Sequence, residues 1–182
     1  MLPMPIRAIL LLSGLAACAA EPGLGRGASG DPLAARRGLE AQLRLGPVPL
    51  EVQGRSPLPE AVLPATAARG IGGLDVRFIT TADAASRRLV LAFDREQGSF
   101  AACAGEPGVP APEGGPPRLL AVYCDGRTPL AEVGAVAADG SDAAVERAIW
   151  RSTALLFPDD YDDNYGLDLF GMRVRFGASV SR

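Results

Sequence analysis

The chain opens with an apolar stretch too short to cross a bilayer, and no later segment reaches the 18 consecutive apolar residues that a spanning helix needs. The polypeptide after that stretch is therefore expected to fold in water around its own core. Met1–Arg7 is short and carries a single positive charge, at Arg7. Ala8–Leu15 (AILLLSGL) is apolar, and Leu15-Ala16-Ala17-Cys18 sets small residues directly before a cysteine. A positive start, an apolar middle and small residues at a cleavage point are the three parts of an export signal. Residues 1–17 are predicted to be that signal.

Composition removes several kinds of chemistry. The 182 residues contain no histidine, and all 18 basic residues are arginine. Without histidine the chain lacks the commonest general base and metal ligand, and a Ser-His-Asp hydrolase is excluded. Without lysine there is no Schiff-base chemistry. The net charge is −3 and no basic stripe is present, so nucleic acid is not expected as a partner. Gly70-Ile71-Gly72-Gly73 lacks the spacing of a phosphate or dinucleotide loop. No cofactor is predicted.

Cys103 and Cys124 form an even pair in a chain read as exported, so a disulfide between them is expected. A ring of this length stabilises by about 3 kcal/mol. The alternatives are two separate buried thiols or a redox pair, the latter usually closer in sequence.

Ala19–Asp31 is rich in Gly, Ala and Pro and reads as a flexible tether, leading into a marginal helix over Pro32–Leu45 weakened by Gly38. Residues 18–46 are grouped as Cys18, tether and helix, and 47–182 as one domain. Alternation predicts strands over Pro47–Gln53 and Leu74–Thr80, with a short helix between them that Pro64 kinks or ends. Arg88–Phe93 (RLVLAF) is a continuous apolar run suited to a strand buried on both faces. With the turn at Ala82–Ser86 it predicts a hairpin with Leu74–Thr80. Ser99–Gly105 carries Cys103 on a segment of unassigned type, and Glu106–Pro117 is an exposed Pro/Gly loop. Arg118–Cys124 and Pro129–Ala137 flank Asp125-Gly126 and predict a second hairpin. Ser141–Phe157 has helical periodicity and a good N-cap, with Trp150 at the edge of the core. Met172–Phe176 alternates as a final strand. The fold class predicted is α+β, an antiparallel-rich sheet with helices packed on one face.

Asp159–Asp168 (DDYDDNYGLD) is the densest carboxylate cluster. Tested as an EF-hand, Asp160, Asp162 and Asn164 occupy the first, third and fifth ligand positions. The sixth position, which needs Gly, is Tyr165, and the twelfth, which needs Glu, is Gly171. No metal site is favoured there. Asp159, Asp160, Tyr161, Asp162, Asp163 and Tyr165 form a candidate binding loop, with a solvated turn after Pro158 as the simpler reading. A hydrolytic role for paired carboxylates lacks a deep cleft or sugar platform, since aromatics are only 5% of the chain.

Leu15-Ala16-Ala17-Cys18 resembles the lipobox of bacterial lipoproteins. Arg88–Asp94 (RLVLAFD), Val122–Gly126 (VYCDG) and Leu156–Gly166 (LFPDDYDDNYG) resemble segments of small lipoproteins from GC-rich Gram-negative bacteria. The resemblance implies a diacylglyceryl group on the Cys18 thiol, cleavage before Cys18, and acylation of the new amine. Two or more acyl chains make a stable anchor, at about 0.8 kcal/mol per buried methylene. Ala19 after the cysteine resembles the outer-membrane pattern, facing the periplasm. The function expected is non-enzymatic, with membrane lipid held through Cys18 and another envelope component bound by the folded domain. The alternative is a calcium-binding or hydrolytic module using residues 159–168.

Overall fold

A computed structural model of the chain describes residues 27–81, 86–112 and 114–159. Ser29–Gly30 forms strand β1. Asp31 caps helix α1 (Pro32–Leu43): its carboxylate accepts from the Ala34 amide at 2.8 Å, and Pro32 fills the first turn, where no amide proton is needed. Strand β2 covers Val48–Gln53. A 3-10 turn at Glu60–Val62 feeds helix α2 (Leu63–Arg69). Pro64 does not end a helix here. It lies in the first turn of α2, the one helical position that tolerates its missing N–H.

Strands β3 (Phe78–Thr80), β4 (Arg87–Phe93) and β5 (Arg95–Glu96) come next in the chain. The segment carrying Cys103 is helix α3 (Ser99–Ala104), ended by Gly105 at φ +71°. After it lie β6 (Val109–Pro110), β7 (Arg118–Asp125) and β8 (Thr128–Val136). Helix α4 (Asp142–Leu156) starts where the Ser141 hydroxyl accepts from the Ala144 amide at 3.3 Å.

The main sheet has the order β1-β8-β7-β4-β2-β3, and β5 and β6 form a separate two-stranded ribbon. The β1/β8, β8/β7 and β7/β4 pairs are antiparallel, while β4/β2 and β2/β3 are parallel. The fold is α+β, with a mostly antiparallel sheet and helices packed against it. The β7–β8 hairpin forms as the Asp125-Gly126 signal predicts: Asp125 pairs with Thr128, and Gly126 takes the left-handed conformation at φ +61°.

The other expected hairpin does not form. β3 and β4 both run parallel to β2, one on each side of it. The reason lies in β4, where Leu89, Val90, Leu91, Ala92 and Phe93 are all at most 1% exposed. A strand apolar on both faces needs a long partner on each side. β2 and β7 supply them, whereas β3 has only three residues and takes the edge. Residues 82–85 of the connecting turn and the expected strand at 172–176 lie outside the described residues.

Alternation sorts the side chains into two layers. Leu89, Leu91 and Phe93 of β4, Leu119, Ala121 and Tyr123 of β7, and Ala131, Val133 and Ala135 of β8 join the main core. Ala35 and Leu39 of α1, Leu63 and Ala67 of α2, and Val145, Ile149 and Leu156 of α4 cover them. Thus α1, which the sequence groups with the tether, is a core helix. Gly38 belongs to its packing, because a β-carbon there would stand 3.1 Å from the Tyr123 ring. Trp150 lies at the edge of this core, 38% exposed. On the opposite face Ala102 and Cys103 of α3 form a smaller cluster with Val90, Val122 and Cys124 of the sheet. One helix therefore packs on the face that the sequence pattern left without any.

Candidate functional site

Of the carboxylate loop, only Asp159 is among the described residues; Asp160, Tyr161, Asp162, Asp163, Asn164 and Tyr165 lie outside them, as does Cys18. Asp159 has a local role. Its carboxylate lies 3.7 Å from the buried guanidinium of Arg36. Arg36 also donates to the carbonyls of Gly72 (3.1 Å) and Phe157 (3.3 Å) and pairs with Glu40 at 3.2 Å. One side chain thus ties α1 to the Gly-rich loop and to the end of α4. Gly72 and Gly73 leave room for the Asp159 carboxylate, which a β-carbon at either would crowd.

Cys103 and Cys124 are brought together at disulfide distance, with Cα atoms 5.6 Å apart. Both are buried, and they join α3 to the end of β7. Beside them runs a polar network. The Arg88 guanidinium, buried on the face of β4 opposite the main core, pairs with Glu51 at 2.6 Å. It also donates to the carbonyls of Cys103 (2.5 Å) and Gly126 (3.0 Å). The Gln53 amide donates to the Glu51 carboxylate at 2.6 Å and to the Ala102 carbonyl at 2.9 Å, and accepts from the Gln97 amide at 2.7 Å. These groups hold α3 to the sheet.

A second constellation is open to solvent. Where β4 gives way to β5, Asp94 adopts φ +47°, the one non-glycine left-handed residue among those described. Its backbone N–H donates to the Arg118 carbonyl (3.0 Å) and its carbonyl accepts from Ala111 (2.8 Å). Its carboxylate accepts from the Arg118 amide at 2.7 Å. Asparagine and aspartate tolerate this conformation best. The kink turns β5 away from the sheet to pair with β6 and opens a cleft of about 650 Å³. Its lining includes Arg55, Asp94, Arg95 and Arg118, with Pro110 and Pro116 on the loop side. Gly54, at φ +80°, is needed at the back of the cleft, because a β-carbon there would run into the Phe93 carbonyl.

The three guanidiniums are held differently. Arg95 donates to the Gly108 carbonyl at 2.7 Å, a neutral partner that positions it without cancelling its charge. Arg118 reaches Glu96 at 3.5 Å in a half-exposed pair. Arg55 is exposed and makes no ion pair among the described residues. A second depression, of about 630 Å³ over β7 and β8, adjoins the first at Arg118 and includes Glu132 and Ser29. The Ser29 hydroxyl donates to Glu132 at 3.0 Å.

Such a cleft can hold an anion on its guanidiniums, which do not deprotonate in proteins, and the one carboxylate among its lining residues, Asp94, accepts from the Arg118 amide. Among the described residues no group of three or more His, Cys, Asp or Glu is placed to hold a metal ion. Sequence reasoning missed this site because Arg55, Arg95 and Arg118 are far apart along the chain. Their juxtaposition depends on β2 pairing with β4 and β4 with β7. In a chain whose every cation is arginine, no local spacing marks these three. No protein family, curated protein or solved structure matches this chain.

Proposed function

We propose that the protein is a lipid-anchored lipoprotein of the bacterial envelope whose folded domain works by binding rather than by catalysis. The observation that carries the binding half is the cleft of Arg55, Arg95 and Arg118, which gathers three guanidiniums able to recognise an anion. The anchor half rests on Leu15-Ala16-Ala17-Cys18 directly after an apolar segment. The membrane lipid is held through Cys18, the destination is the periplasmic face of the outer membrane, and the disulfide between Cys103 and Cys124 suits that oxidising side. Among the described residues, no helix is long and apolar enough to span a membrane, so covalent lipid would be the attachment.

The test labels growing cells with a fatty-acid analogue and fractionates them. The parent chain is expected to carry the label and sediment with membranes. Cys18→Ser should lose both. An unlabelled parent that sediments as Cys18→Ser does overturns the anchor. In calorimetry, calcium titrated into the full chain should give no heat; saturable heat would favour the carboxylate loop as a metal site instead.

A further inference from the structure

We infer that the cleft of Arg55, Arg95 and Arg118 binds a phosphate monoester. The inference does not rest on the lipid anchor. The charge balance points to it. Seven described arginines pair with carboxylates: Arg36 with Glu40, Arg37 with Asp31, Arg69 with Glu146, Arg87 with Asp125, Arg88 with Glu51, Arg118 with Glu96 and Arg127 with Glu106. Arg55 and Arg95 are among those without a carboxylate partner in the described residues, and these two line one cleft together with Arg118. The Asp94 carboxylate, which accepts from the Arg118 amide, is the one acidic group among the lining residues, so three guanidiniums face a single carboxylate there. Like charges brought together by folding repel unless a counter-charge joins them.

A phosphate monoester carries nearly two negative charges and three acceptor oxygens, which match two guanidinium forks better than one carboxylate does. Arg95 is pre-positioned by the Gly108 carbonyl, so less side-chain freedom is lost on binding. The cleft has space for a body beyond the phosphate, and Pro110 and Pro116 give that body apolar walls. The same chemistry is presented by a soluble phosphorylated metabolite and by a phosphatidic acid headgroup.

The test titrates the full purified chain with glycerol phosphate, and separately with vesicles of neutral lipid with and without phosphatidic acid. Saturable binding of glycerol phosphate identifies a soluble source. Binding only to phosphatidic acid vesicles identifies a headgroup. Either supports the site, provided Arg55→Gln and Arg95→Gln each weaken it about tenfold or more, while Arg127→Gln, outside the cleft, leaves it unchanged. Thermal unfolding checks each variant; Arg55 is exposed, so Arg55→Gln carries the test if Arg95→Gln does not fold. No saturable binding of either probe overturns the inference. So does binding that Arg127→Gln weakens as much as Arg55→Gln, or equal competition by acetate, since either would mean diffuse charge attraction.

Discussion

The Arg88 guanidinium and the Glu51 carboxylate meet at 2.6 Å beneath α3, joining β4 to β2 on the face away from the main core. Arg88 is 2% exposed and Glu51 16%, so each partner relies on the other for charge compensation. Removing one leaves the other charge buried. Glu51→Ala is expected to cost about 3 kcal/mol or more in urea unfolding, and pairing it with Arg88→Met should recover much of that loss. Losses that simply add would show that the two side chains are not coupled.

The Cys103–Cys124 link acts where the apolar cluster is small, five buried residues of which two come from the six-residue helix itself. Replacing both cysteines with serine should lower stability by about 3 kcal/mol. Intact mass should rise by two hydrogens on reduction. Equal urea midpoints for the oxidised and reduced chain would contradict a bonded pair.

Tyr123 is fully buried, edge-on to Phe157 at 5.0 Å, and its hydroxyl has no hydrogen-bond partner among the described residues. Burial, the main cause, pushes the phenol well above its usual value, against a smaller opposing effect of Arg87. The folded state therefore keeps this proton where the unfolded chain releases it. The stabilisation is complete below about pH 10 and declines above it, by about 1.4 kcal/mol per pH unit. Tyr123→Phe should remove that slope in alkaline unfolding curves and cost little at neutral pH, because an unpartnered buried hydroxyl is lost with it.

Two glycines should respond oppositely to alanine. Gly54, at φ +80° against the Phe93 carbonyl, has no room for a β-carbon. Gly54→Ala is expected to cost on the order of 1–3 kcal/mol and to weaken anion binding by displacing Arg55. Gly134, in β8, has open space and no left-handed backbone, so Gly134→Ala should be neutral or stabilise by up to about 1 kcal/mol. Thermal unfolding of the two variants measures the contrast.

Elements whose signals are local were legible in the sequence. The Ser141 cap, the periodicity of α4 and the Asp125-Gly126 turn each depend on neighbours a few residues away. The apolar run of β4 correctly announced burial on both faces. Pairing was harder, because a short polar turn after Thr80 looks the same whether the next strand folds back or passes to the far side of β2. Gly38 read as a weakness in α1 since its reason, the Tyr123 ring, is far away in sequence. The arginine cleft was illegible for the same cause. Pairing of distant strands gathers its residues, and only Asp94, left-handed at a strand end, is unusual locally.

Arg36 also has a bearing on the chain beyond the described fold. Its guanidinium grips the Phe157 carbonyl and faces Asp159, so the last described residues after α4 are pinned to α1. Any task performed by the carboxylate-rich segment that opens at Asp159 starts from a residue held in place. Cutting the moorings at Arg36 would release Asp159 and the end of α4 from α1.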